Sequence, residues 1–303
     1  MKKMKKTQIN EFFSFRYCII KKKGVFYMIL NKVNLKELYP TLINDVYLES
    51  YCPDNFMEFS NGKVRKCVLV LPGGGYSFLS EREAEPVALR FAANDIACFV
   101  LKYSLSNRII YPHPMVEVFA ALSYIRRNAD LYHINVDKIS VCGFSAGGHL
   151  AASSSAYHQK QEYADYLNIP MEEMRINGCI LAYPVISAEY GHLETFKNVA
   201  KGDPKLLELY SIDKHISTDF PKTFIWHTTF DTVVDLKNSL LLADELCKNK
   251  VFFEMHVYPM HDHGQALCDE TVYYNNLDKK FIDEIKYNTQ WFDNAIHFIK
   301  EYI

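Results

Sequence analysis

The stretch that decides the fold is Lys138-Ile139-Ser140-Val141-Cys142-Gly143-Phe144-Ser145-Ala146-Gly147-Gly148-His149-Leu150. It opens as a short, nearly continuous apolar run, which reads as a buried strand. It closes as GGHLAASSSAY, which reads as a helix rich in small residues. Between them, residues 143–147 match G-x-S-x-G. A serine at a strand-to-helix turn must take a strained backbone conformation, and small flanking residues relieve the crowding. The turn holds Oγ above the sheet edge, where the helix N-terminus favours developing negative charge. A serine that merely caps a helix does not require both glycines. Ser145 therefore reads as a nucleophile.

The same alternation continues outward from this turn. Runs 66–71, 96–103, 138–142, 179–184, 223–228 and 251–258 are apolar and strand-like, and most are continuous rather than alternating. Helix periodicity falls over 82–94, 114–131, 146–157, 236–248 and 289–302. The segment 30–63 reads as an antiparallel entry hairpin. A β-α-β-α order implies an α/β fold with a parallel, doubly wound sheet and a site at the carboxyl ends of its strands. Residues 159–177 and 185–220 are more polar and less periodic, so they are read as lid or rim segments. No internal repeat or Gly/Ser linker divides the chain. Residues 28–303 are taken as one domain, preceded by a poorly ordered extension over 1–27.

Pro72-Gly73-Gly74-Gly75-Tyr76 follows directly on the strand KCVLVL. Glycines in a loop after an early strand let backbone N–H groups point at a substrate oxygen, as an oxyanion hole requires. The amides of Gly74, Gly75 and Ala146 are the chosen donors. A base and its orienting acid should follow in the order Ser, Asp, His. Asp231 lies in the loop after the strand TFIWHT; Asp235 is the rival, but sits at a helix start where an acid has a capping role. After FFEMHVY comes Pro259-Met260-His261-Asp262-His263-Gly264. His263 is preferred as base over His261. A neutral imidazole there takes the Ser145 proton and later returns it to the leaving alcohol, with Asp231 holding the tautomer. His261 and His263 form an HxH pair, but no acidic or cysteine cluster completes a ligand set, so neither a metal nor a cofactor is expected. His149 and His227 are read as packing or hydrogen-bonding residues. Tyr76, Phe144 and His261 are candidate substrate contacts; Phe78, Tyr183 and Tyr190 are further aromatics near the motifs.

The 303 residues carry 49% hydrophobic and 14% aromatic side chains, enough for a substantial core. The formal net charge of −2 argues against a nucleic-acid partner and for a small molecule. Eight cysteines are scattered without a CxxC pair, several of them inside apolar runs. That pattern fits reduced core thiols and a cytoplasmic setting. Lys2, Lys3, Lys5 and Lys6 precede an apolar stretch that Ser14 and Arg16 interrupt, with no small-residue cleavage site behind it, so it fails as a secretion signal. No apolar run is long enough to span a membrane. A homodimer is left open.

VLPGGGY, LKYSL, YPHPMVEVFAALSYIRRNA, VDKISVCGFSAGGHLAA, LAYPVIS, FIWHTTFDTVV and HDHGQAL follow one another in the chain. Together they resemble the α/β-hydrolase esterases related to acetylesterases and acetyl-xylan esterases, from residue 47 to the C-terminus. The resemblance implies a mostly parallel sheet of about eight strands with helices on both faces and a small lid. It implies Ser145, Asp231 and His263 as the triad, with the PGGGY loop receiving the oxyanion. The implied reaction is hydrolysis of short-chain, acetyl esters of sugars such as xylo-oligosaccharides. Two positions depart from the pattern: Glu117 stands where relatives commonly carry aspartate, and HDHG replaces a glycine-rich approach to the histidine. Broad-specificity carboxylesterases and lipases remain alternatives. A prolyl-oligopeptidase-type peptidase would need a further large domain. A catalytically inactive binding protein of this fold would usually lack a triad member, and all three candidates are present.

Overall fold

In the computed structural model, which describes residues 28–56, 62–105, 112–259, 262–273 and 278–303, the apolar runs assemble into one sheet. The expected 1–27 extension and His261 lie outside the described residues. The strands are β1 (Met28–Asn34), β2 (Tyr47–Pro53), β3 (Arg65–Leu71), β4 (Ala97–Lys102), β5 (Ile134–Phe144), β6 (Gly178–Ala182), β7 (Lys222–Thr228) and β8 (Phe253–Tyr258). The helices are α1 (Leu35–Leu38), α2 (Glu85–Ala93), α3 (His113–Arg127), α4 (Ala129–Tyr132), α5 (Ala146–Tyr157) and α6 (Gln161–Leu167). They continue as α7 (Leu193–Ala200), α8 (Pro204–Tyr210), α9 (Lys237–Lys248), α10 (Lys279–Ile285) and α11 (Gln290–Tyr302).

The strand order is β1-β2-β4-β3-β5-β6-β7-β8. From β4 to β8 every neighbour pair is parallel, while β1–β2 and β2–β4 are antiparallel. The expected entry hairpin is thus present, with α1 inserted between its strands. The chain leaves β3 toward β4 on one side and returns to β5 on the other, so the order reverses between β3 and β5. Ligand crevices open at such a reversal, beyond the carboxyl ends of the strands. Leu71 of β3 pairs with Gly143 of β5, which sets the PGGGY loop beside the G-x-S-x-G turn.

The continuous apolar runs are explained by helices on both faces. Leu69, Leu71, Val141 and Leu181 join a core with α3 and α5. Their chain neighbours Val70, Cys142 and Ile180, with Phe224 of β7, join a second core with α2 and α11 on the opposite face. Alternate side chains of each strand thus serve different layers, and both layers exclude water. Among the described residues no helix is long and apolar enough to cross a membrane.

Two expected helices are shorter than their periodicity. Over 82–94, a 3₁₀ turn at Glu81–Glu83 and a non-helical Ala84 (φ −104°, ψ −103°) delay the start of α2 to Glu85, with Pro86 in its first turn. Proline has no N–H to offer the preceding turn, so it suits a helix start and not an interior. Over 114–131, Asn128 turns its amide back onto the Tyr124 carbonyl at 2.8 Å and ends α3 there. At the far end of the sheet, Lys66 and Lys222 donate to the Ile299 and Tyr302 carbonyls, each at 2.7 Å, and Lys138 donates to Ile303. Cations from three strands so neutralise the carbonyl end of α11, each worth about 0.3–1 kcal/mol.

The two segments expected as a lid separate. Residues 159–177, with α6, pack against α3, where Arg126 donates to the Glu173 carbonyl at 2.9 Å and Arg127 pairs with the Glu173 carboxylate. They contribute nothing to the lining of the cavity described below. Of residues 185–220, His192 and Glu194 at the start of α7 do reach it.

Candidate active site

Ser145 follows β5 directly and precedes α5, with φ 53° and ψ −118°. A non-glycine residue at positive φ is strained and persists only where its surroundings over-determine it. Here its N–H donates to the Ala182 carbonyl at 3.0 Å, and its carbonyl accepts from Val185 at 3.2 Å and from His149 at 3.0 Å. The flanking glycines are required by close approach. A Cβ on Gly147 would stand 2.1 Å from the Leu71 carbonyl oxygen, and one on Gly143 would stand 2.2 Å from that of Gly147.

The loop after β8 brings His263 to this turn. Its Nε2 lies 2.6 Å from Ser145 Oγ, and its Nδ1 lies 2.7 Å from Asp231 Oδ2. An ionised carboxylate only accepts, so Nδ1 carries the proton and Nε2 is left to accept from the serine hydroxyl. Asp231 lies in the loop after β7, with its side chain 1% exposed. Its Oδ1 accepts from the amides of Val233 (3.0 Å) and Val234 (2.8 Å). His227 Nε2 faces both Asp231 Oδ2 (3.2 Å) and the Val234 carbonyl (3.0 Å), so that nitrogen also donates. Burial alone would raise the Asp231 pKa; the hydrogen bonds from His227 and His263 outweigh it and hold the carboxyl well below the usual range. The rival Asp235 instead accepts from the Lys237 amide at 2.8 Å, a local role at the start of α9.

The HDHG departure has a structural reason. Asp262 Oδ1 accepts from the Thr232 amide (3.0 Å), the Thr232 hydroxyl (2.7 Å) and the His263 amide (2.8 Å). It ties the loop carrying Asp231 to the loop carrying His263. Glu117, the other departure, accepts from the amide and hydroxyl of Ser104 and fixes the turn after β4.

In the PGGGY loop Gly74 has φ 123° and Gly75 φ 60°, left-handed conformations that favour glycine. Tyr103 donates to the Pro72 carbonyl, and the Gly73 amide is consumed by Glu83 Oε2 at 2.8 Å. The carbonyls of Gly74 and Gly75 are also engaged, the second by Asn198 of α7 at 2.7 Å. Ala146 begins α5, where a helix leaves its amides without an internal partner. Gly74, Gly75 and Ser145 border one cavity, and Ala146 follows directly on Ser145 without itself lining it. That cavity, about 660 Å³, is lined by residues 74–75 and 77–83, Ser145, His192, Glu194, Val233 and 262–264.

Not every expected contact reaches it. Tyr76 (1% exposed) and Phe144 (0%) are buried, and neither lines the cavity. Phe144 packs on Tyr183 and Trp291. Tyr76 is held by His149, whose Nδ1 lies 2.9 Å from its hydroxyl. His149 Nε2 faces the Tyr210 carbonyl at 2.9 Å, so its Nδ1 accepts from Tyr76. Burial pushes His149 down to about 4, which keeps it neutral. Tyr183 is also buried, and Tyr190 sits beneath the Lys237 ammonium. Phe78 is the aromatic of this group that lines the cavity, 60% exposed.

Comparison with known proteins agrees with this architecture. The BD-FAE family model matches residues 54–246. An endo-1,4-beta-xylanase B of Butyrivibrio fibrisolvens is 32% identical over 232 residues, covering 73% of this chain and 36% of the relative. An acetylxylan esterase of Xylanibacter ruminicola is 29% identical over 223 residues, covering 70% and 43%. The chain therefore spans less than half the length of these curated relatives. Among solved structures, the acetyl ester-xyloside bifunctional hydrolase from Caldicellulosiruptor lactoaceticus is 32% identical with a TM-score of 0.69, covering 84% of this chain and 90% of that one. An alpha/beta hydrolase enzyme from a Medee basin deep-sea metagenome library is 32% identical with a TM-score of 0.71, covering 90% and 97%. With the family model matching well over half its residues and an eight-strand, mostly parallel sheet bearing a serine at positive φ between β5 and α5, the chain belongs to the BD-FAE family and has the α/β-hydrolase fold.

Proposed function

We propose that the protein is a serine carboxylesterase acting on short-chain, acetyl esters of sugars such as xylo-oligosaccharides. The observation that carries this reading is the continuous hydrogen-bonded chain from Ser145 through His263 to buried Asp231 at the wall of an open cavity. Ser145 Oγ attacks the ester carbonyl carbon as its proton passes to His263 Nε2. The carbonyl oxygen becomes an oxyanion that the amides of Gly74, Gly75 and Ala146 receive; one such donor is typically worth about 3 kcal/mol of barrier. Collapse breaks the bond to the alcohol, which leaves with the proton from His263. Water then attacks the acyl-serine, His263 takes its proton and returns it to Ser145, and the carboxylic acid departs.

The acetyl and sugar parts of the proposal draw on the acetylxylan esterase and acetyl ester-xyloside hydrolase among the relatives. The mixed wall supports them: Phe78 and Val233 offer apolar faces beside polar Ser77, Glu81, His192 and Glu194. The free cysteines among the described residues, buried except for Cys247, support a reducing, cytoplasmic setting. The test compares p-nitrophenyl acetate, p-nitrophenyl octanoate and an acetylated xylo-oligosaccharide. The acetate and the oligosaccharide should be turned over with kcat/KM at least about tenfold above the octanoate, a difference of about 1.4 kcal/mol in the barrier. Faster turnover of the octanoate would overturn the acetylesterase assignment.

A further inference from the structure

Glu83 is a buried carboxylate, 3% exposed, that lines the cavity without belonging to the triad. Its two oxygens serve different halves of the site. Oε2 accepts from the Gly73 amide at 2.8 Å, at the root of the oxyanion loop. Oε1 accepts from the Tyr183 hydroxyl at 2.7 Å. Tyr183 in turn accepts from the Ala266 amide at 2.9 Å, three residues beyond the base, and its ring stands edge-on to His263 with centroids 4.9 Å apart. The single phenolic proton must therefore point at Glu83, and burial together with the adjacent carboxylate keeps that phenol protonated. Tyr183 holds this place at φ 38°, a conformation a tyrosine adopts only under constraint. The same 3₁₀ turn reaches the base loop a second time, through Arg82 to the Gly264 carbonyl at 2.7 Å.

Space is tight where these links meet. A Cβ on Gly73 would lie 2.7 Å from Glu83 Oε2 and 3.0 Å from Ser145 Cβ, so the loop is wedged between carboxylate and nucleophile. Movement of Gly73 carries the Gly74 and Gly75 amides with it. We infer that Glu83 is a positioning residue, one carboxylate that keeps the oxyanion donors and the general base in register with Ser145. The inference rests on the esterase reading above.

Glu83→Gln keeps the shape but halves the acceptor capacity, because the amide nitrogen must face either the Gly73 N–H or the Tyr183 hydroxyl. Tyr183→Phe keeps the ring on His263 and removes the link to Glu83 and Ala266. Turnover of p-nitrophenyl acetate is measured for both single variants and the double variant, per active site titrated with a fluorophosphonate, alongside Tm. Each single variant should lose on the order of 10–100-fold in kcat with KM within about twofold, as expected for misplaced donors and base. The double variant should lose little more than the worse single one, because the two side chains form one chain of hydrogen bonds. Unchanged kcat with a lowered Tm in the single variants, or losses that multiply in the double one, would overturn the inference. Should Glu83→Gln not fold, Tyr183→Phe decides alone, and an unchanged kcat there overturns the inference. Absence of fluorophosphonate labelling in the wild type would instead remove the esterase reading.

Discussion

At the residue scale, the site turns on how Asp231 is kept ionised inside the protein. Burying a carboxylate is costly unless it is paired and hydrogen-bonded, and Asp231 receives two histidines and two backbone amides. Replacing His227 by phenylalanine removes a donor to a charged group, so it should cost about 1.5–3 kcal/mol of stability, read as a lowered urea midpoint. An unchanged midpoint would mean the Val233 and Val234 amides suffice. The sequence makes the meeting of Ser145, Asp231 and His263 legible because each follows a core strand, in the order Ser, Asp, His. It does not show whom His149 and His227 serve. Each looks like a histidine in an apolar setting, and their partners, Tyr76 with the Tyr210 carbonyl and Asp231, are set by loop conformation. Tyr76 misleads for the same reason: neighbouring glycines mark a loop at the site without saying which way the next side chain turns.

At the scale of elements, the turn that carries Ser145 depends on α5 starting against the end of β3. Gly147→Ala places a methyl group 2.1 Å from the Leu71 carbonyl oxygen, which neither backbone can avoid without separating the two elements. Overpacking of this kind costs about 1–3 kcal/mol, and moving Ala146 and Ser145 should reduce esterase turnover more than a hundredfold. Gly202→Ala is the control: nothing lies within 4 Å of its added Cβ, so it should strain only its own backbone (φ +82°) and leave kcat unchanged. Equal activity losses in the two variants would count against the close-approach argument. The strands were readable because continuous apolar runs have one stable solution between two helical layers. Helix ends were less so: the periodicity begins at 82, but α2 starts only at Glu85 with Pro86 in its first turn, and Asn128 ends α3 although the periodicity continues past it. Segment 159–177 is polar like a lid, yet its polar groups are consumed on the flank of α3, and polarity alone does not distinguish these fates.

At the scale of the whole molecule, two buried acids act in opposite directions on stability. Burial pushes Glu117 up to about 7, against its hydrogen bonds from Ser104. Its contribution is complete below the unfolded value near 4.5 and is lost as pH rises through 7, because the folded state holds the proton that the unfolded state has released. Asp231, with its pKa depressed, contributes above the ordinary carboxylate range and loses that contribution as pH falls below it. Buried His149 and His158, both pushed down to about 4, make stability rise with pH over much of the same window, so Glu117 is read as a difference: measured from pH 4 to 8, the urea midpoint of Glu117→Gln minus that of the wild type should rise with pH between about 4.5 and 7. An identical slope in the variant would contradict this role. The reversal of strand order between β3 and β5 unites the other parts of the molecule: it brings the PGGGY loop, Ser145 and the two later loops that carry Asp231 and His263 to one edge of the sheet. The most direct test of that assembly is labelling with a fluorophosphonate followed by peptide mapping. The account predicts one covalent adduct, on the peptide carrying Ser145, and none on Ser145→Ala; an adduct on another residue, or equal labelling of Ser145→Ala, would contradict it.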